Sequence, residues 1–259
     1  KTTHAKVTFQ DITGVRGNQG NFSPTLANAL SQVDGFIQVV RGFNELTTPH
    51  PLDQIDPAKD ISALQDEFAL NDMITIESKL QRLQEEWSKG GGRERTTIEH
   101  EQHLFGNLRY TLENKHTLHD LQLGAYDENL LSGFGLLTRK PVLLVINIDE
   151  SMPRTQEIIG PEYSIHNAHK ILTLMCKLEM EIGQLDDNDT AFFMREYSLS
   201  ELVLTRVIQH AYEMIGLLSF FTISAEEVRA WPLSAGASAR QAAGTIHSDM
   251  HTGFIRAEV

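Results

Sequence analysis

The sequence predicts an α/β fold built on a parallel sheet, and three observations predict it. Over residues 6–43, short β-rich runs alternate with helical spacing, the pattern of a βαβ unit. Residues 142–148 form a continuous apolar run bounded by Pro141 and a polar loop, as expected for a strand buried on both faces. Between them, from about Asp56 to Leu137, the spacing is helical, so the α/β pattern is interrupted and then resumes.

Taken in chain order, the first run lies at residues 5–14 and is followed by Asn18-Gln19-Gly20-Asn21-Phe22-Ser23-Pro24, a loop by composition. A second strand is expected over residues 35–43. In the helical stretch, Ile76, Leu80, Leu83 and Trp87 recur at intervals of three and four on one face, Gly90-Gly91-Gly92 breaks the pattern, and Leu104, Leu108 and Leu112 start a second stripe. Two antiparallel helices joined by a glycine hinge account for this. Residues 171–175 form another strand-like run, and helical spacing returns over 199–218 through Leu202, Val203, Val207, Ala211 and Ile215. The C-terminal stretch reads as short strands separated by Gly and Ser turns, at Phe220-Phe221-Thr222, at residues 227–231, at 241–247 and at 253–259.

The chain has 259 residues with 22 basic and 35 acidic side chains, a net charge of -13. Such a balance argues against general binding to a phosphate backbone and leaves room for a local basic face that touches RNA. The single cysteine, Cys176, excludes an internal disulfide framework and suits a reducing compartment. The longest apolar runs are strand-sized, too short to span a bilayer as helices. His100/His103, His116/His119 and His166/His169 are each three apart, yet none belongs to an H-E-x-x-H string, and they read as solvated helix-surface residues. A G-x-S-x-G nucleophile elbow is also missing.

Read as strings, several segments resemble one family in the right order. Residues 220–222, 227–231, 241–247 and 253–259 resemble the TGS module that ends the YchF (Obg-like ATPase) family of TRAFAC-class P-loop NTPases. Asp11-Ile12-Thr13-Gly14 resembles its Asp-x-x-Gly switch, residues 35–43 its next strand with Gly42 in place of the usual Cys, and Asn147-Ile148-Asp149-Glu150 its base-reading loop. The resemblance covers nearly the whole chain. It implies a G-domain-like parallel-sheet core at residues 1–58 and 139–216, an inserted helical hairpin at 59–138 and a partial β-grasp-like TGS domain at 217–259. No G-x-x-x-x-G-K-[ST] string occurs. In the family that P-loop precedes the residue equivalent to Lys1, and the TGS module continues beyond Val259, so a longer protein is expected.

The resemblance also assigns roles. Asp11 would bind magnesium and, with Gly14, sense a γ-phosphate. Asn147 and Glu150 would select the base, with Ile148 in place of the Lys of the N-K-x-D pattern; the adjacent Asp149 leaves some ambiguity about which carboxylate faces the base. Met175, Cys176 and Lys177 would supply backbone contacts to the base edge. His50, between Pro49 and Pro51, aligns with a loop histidine that positions the attacking water. Taken alone, D-x-x-G and N-x-x-E are ordinary loop strings, and His50 is equally a solvent-exposed loop histidine. The implied activity is hydrolysis of ATP, with GTP as a second substrate, using Mg2+, in a cytoplasmic protein that associates with the ribosome or a ribosomal subunit and with neither membrane nor DNA. A different class is also open: a catalytically degenerate, ribosome- or RNA-associated module that works through the hairpin and the TGS surface.

Overall fold

The computed structural model describes residues 1–12, 22–45, 50, 55–90, 92–114, 117–149, 168–197 and 201–258. In chain order the elements are β1 (Thr2–Thr3), α1 (Pro24–Ser31), β2 (Phe36–Arg41), α2 (Pro57–Lys89), α3 (Arg95–Glu113) and α4 (Ala125–Leu131), then a 3-10 turn (Leu137–Arg139), β3 (Val142–Asn147) and β4 (Ala168–Leu174). They are followed by α5 (Cys176–Ile182), α6 (Asp187–Glu196), α7 (Val203–Met214), β5 (Leu217–Ile223), β6 (Val228–Ser234), α8 (Ala239–Ile246) and α9 (Ser248–Thr252). The chain divides into two compact units, residues 14–184 and residues 1–13 with 185–259, a different division from the limits at 58, 138 and 216 that the resemblance implies.

The larger unit is built on a parallel sheet ordered β2-β3-β4. Its central strand is the apolar run read in the sequence, and residues 142–146 are each no more than 4% exposed. Burial on both faces requires continuous apolarity, which the sequence supplies. Before β2, α1 starts at Ser23, whose hydroxyl accepts from the Leu26 N–H, with Pro24 in the first turn. Its far end is held by Lys140, whose ammonium donates to the carbonyls of Leu30, Ser31 and Val33 at 2.7–2.8 Å. Burial pushes the Lys140 pKa down, while Asp34 and Asp72 counter that. Because Lys140 stands just before β3, this contact ties the helix to the start of the central strand.

The hairpin forms as read. α2 has 33 residues, and at 1.5 Å per residue it runs for about 50 Å. Asp56 caps it by accepting from the Lys59 N–H, and Gly90 closes it in the left-handed conformation at φ 65°, which a Cβ would disfavour. Ile76 and Leu83 of α2 join Ile98, Leu104, Phe105, Leu108 and Leu112 of α3 in one buried cluster, with Leu80 and Trp87 packed against it. Two carboxylates are buried in this region. Asp72 accepts from the Leu137 N–H, the Thr138 N–H and the Thr138 hydroxyl at 2.7–2.8 Å. Glu101 is paired with Lys79 at 2.7 Å and with Arg93.

In the smaller unit, β5 and β6 form an antiparallel pair, and β1 adds beside β6 in parallel. Three expectations are corrected here. Residues 5–12 form no strand, since a strand's backbone groups need a ladder neighbour and this segment has none in either described sheet. Residues 239–246 are a helix: Ser238 and Gln241 make a reciprocal capping box, and Ala242 and Ala243 favour helix over strand. Residues 254–258 pair with nothing in the described sheets, and Ile255 is 92% exposed.

Candidate functional site

Parallel strands leave a crevice beyond their carboxyl ends, where chains that part to opposite sides expose backbone polar groups around a cavity. In the larger unit an open cleft of about 390 Å³ lies there, within the range typical of small-molecule sites. Phe43, Asn44 and Glu45 enter it after β2, Asn147, Ile148 and Asp149 at the end of β3, Met175 after β4, and Lys177, Leu178 and Glu181 from α5.

Asn147 organises this end of the sheet. Its backbone carbonyl accepts from the Gly42 N–H at 2.8 Å, and its side-chain Oδ1 accepts from the Cys176 N–H at 3.1 Å. The Ile148 N–H donates to the Leu174 carbonyl at 2.9 Å. Three strand ends are thereby joined around one residue. At Gly42 a Cβ would lie 3.1 Å and 3.2 Å from the Cγ2 methyls of Ile146 and Ile148, and 3.3 Å from the Asn147 carbonyl. Glycine at this position allows that close approach; a larger residue requires the neighbours to give by a few tenths of an ångström.

Of the residues expected to read the base, Asn147, Ile148, Met175 and Lys177 line the cleft, together with Asp149. Cys176 takes part through its backbone N–H, which Asn147 occupies. Burial, reinforced by Glu179, pushes its thiol pKa up, away from the thiolate form. Glu150 and Gly14 lie outside the described residues. Asp11 is exposed, has no regular structure and belongs to the smaller unit.

His50 differs from the exposed loop histidine that was one expectation. Its side chain is 9% exposed, and its Nε2 lies 3.1 Å from Asp60 Oδ2 in the first turn of α2. It is not among the cleft-lining residues. No group of three or more His, Cys, Asp or Glu side chains could hold a metal ion among the described residues. The surface histidines are engaged separately, His100 with Asp127, His103 with Asn107 and His119 with the Arg139 carbonyl. No helix among the described residues is long and apolar enough to cross a membrane.

Phe43, Asn44, Glu45, Leu178 and Glu181 were not singled out by sequence reasoning. Phe43 ends a predicted strand and Asn44 and Glu45 follow it directly, so the strand-end rule would have selected all three. Glu181 stands four residues after Lys177 and three after Leu178, a helical spacing that counts only once α5 is known to border the cleft.

The chain is also similar to known proteins. Residues 217–259 match the family YchF-GTPase_C, described as a protein of unknown function. The chain is 32% identical to the ribosome-binding ATPase YchF of Escherichia coli O157:H7, covering all of this chain and 71% of that protein. It is 31% identical to the protein of the same name from Bacillus subtilis, over all of this chain and 72% of that one. The Haemophilus influenzae protein of that name is 32% identical over 96% of this chain and 68% of its own length. Among solved structures, the Schizosaccharomyces pombe YchF GTPase superposes with a TM-score of 0.74 at 22% identity, over 95% of this chain and 66% of that one, a likeness of fold.

Proposed function

The chain belongs to the YchF family, and from that premise we propose that the protein is a nucleoside triphosphatase that binds ATP in preference to GTP, hydrolyses it with Mg2+ and associates with ribosomes in the cytoplasm. The observation that carries the reading is the cleft at the strand ends, where Asn147, Ile148 and Asp149 stand beside Met175 and Lys177. With Oδ1 committed to Cys176, the Asn147 amide offers N–H donors, and a purine ring presents acceptors to meet them. A carboxylate, Asp149 or Glu150, accepts from an exocyclic amine. The apolar edge of Ile148, in place of a lysine stem, suits a flat base.

Phosphoryl transfer depends on positioning and on charge stabilisation. In this reading Asp11 and Gly14 sense the γ-phosphate and His50 orients water. Asp11 is exposed and belongs to no group of three or more His, Cys, Asp or Glu side chains among the described residues, so by itself it does not fit a resident metal site. In this reading magnesium enters as the ion carried by the triphosphate. The Nε2 of His50, in contact with Asp60, would have to exchange that contact to hold a water.

The test is titration of the full-length protein with MgATP and MgGTP. ATP should bind more tightly, and Asn147→Ala should weaken ATP binding about tenfold or more, the worth of a charge-free hydrogen-bond network joined to a distorted site. Equal affinity for the two nucleotides would remove the adenine preference. Absence of binding to either would replace the enzyme with the non-catalytic ribosome-associated module.

A further inference from the structure

We propose that Arg41 is a positioning residue for base recognition: its guanidinium holds Phe43 as a wall of the cleft and so sets the affinity for a purine nucleotide. The inference rests on the nucleotide-binding reading above. Arg41 is the last residue of β2 and stands in register with Asn147 on β3. Its Nε donates to the Phe43 carbonyl at 3.0 Å and its Nη2 to the Glu45 carbonyl at 3.0 Å. The same guanidinium carbon lies 4.9 Å from the centroid of the Phe43 ring.

These three contacts act on one short turn. Beyond Gly42, whose N–H donates to Asn147, the chain has left the parallel ladder, so ladder hydrogen bonds do not orient residues 43–45. A guanidinium is a planar fork that stays charged at neutral pH, and one fork gripping two carbonyls two residues apart restricts the turn between them. The attraction of the cation for the ring face restricts the ring as well. Phe43 lines the cleft together with Ile148, and a flat apolar ring offers a purine a stacking surface. Lysine, a compact point charge on a flexible stem, lacks the fork.

The experiment compares KM and kcat for MgATP in the full-length protein and in Arg41→Ala, Arg41→Lys, Phe43→Ala and the Arg41→Ala/Phe43→Ala double variant, with the thermal midpoint of each. Arg41→Ala should raise KM about tenfold, the consequence of losing a pre-set stacking wall, with kcat unmoved. Arg41→Lys should behave like the alanine variant. Because Arg41 acts through Phe43, its removal should add nothing in the Phe43→Ala background. A merely structural role predicts a lower kcat and effects that multiply with those of Phe43→Ala, whatever the thermal midpoint; that result, or an unchanged KM in Arg41→Ala, overturns the proposal. Failure of the underlying reading looks different: wild-type protein that does not bind ATP, or binds it with no sensitivity to Asn147→Ala, sinks both. ATP binding that responds to Asn147 and ignores Arg41 sinks this inference alone.

Discussion

Asp72 at the root of the helical hairpin and Glu101 farther along it are both almost wholly buried, yet their surroundings drive them in opposite directions. Asp72 is met by neutral donors, two backbone N–H groups and a hydroxyl, and burial raises its pKa despite them. Burial also works against the charge on Glu101, but Lys79 and Arg93 outweigh it and hold the carboxyl below its ordinary value. Burial sets the cost of a charge; the charge on the partner decides whether that cost is met. The two sites do different work. Asp72 pins the turn that leads to Lys140 and β3, while Glu101 draws α2 and the loop before α3 together through cations that stay partly in water.

Substitution can break this comparison. Asp72→Ala should destabilise the protein most, by about 4 kcal/mol, because it leaves several buried donors without an acceptor. Asp72→Asn, which keeps an oxygen, should cost about half as much. Glu101→Ala should cost less, about 2 kcal/mol, since Arg93 is exposed enough to recover hydration and Lys79 keeps a part of its side chain in water. Urea unfolding measures all three, and a Glu101 variant less stable than Asp72→Ala would overturn the distinction.

Acid titration sharpens it through opposite signs. The folded-state pKa of Glu101 lies below the ordinary 4.5, so its stabilisation is present above that value and lost as pH falls through the folded one. The folded-state pKa of Asp72 lies above the ordinary 3.8, so its contribution is full below that value and declines as pH rises through the folded one. Unfolding midpoints measured from about pH 3 to pH 7 should therefore lose part of their acid-side decline in Glu101→Gln and part of the opposing slope in Asp72→Asn. The smallest expected effect lies at an exposed site with no buried charge: Ser238→Ala removes the capping box of α8 and should cost about 1 kcal/mol by the same unfolding assay.

Much of the hairpin was legible because its signals are local. Ile76, Leu83, Leu104, Leu108 and Leu112 recur at helical spacing, and a glycine with positive φ ends α2 where the pattern breaks. The cap at Ser238 was equally local, and overlooking it turned α8 into a predicted strand. At the candidate site, Asn147, Met175 and Lys177 were named from the string alone. Phe43 and Glu181 were not: Phe43 stands where only the strand-end rule would mark it, and Glu181 matters through what stands beside it at the ends of β3 and β4.

The sequence by itself determined the class of fold, the apolar strand at the centre of the larger sheet, the two helical stripes and the family, since each is carried by residue type and spacing along the chain. Tertiary structure decided that residues 5–12 form no strand, that His50 is tied to Asp60, that Arg41 grips the turn at Phe43, and that Asp72 reaches Thr138 from 66 residues away. Periodicity reports which face of an element avoids water; which donor meets which acceptor depends on distances that exist only after the chain has folded.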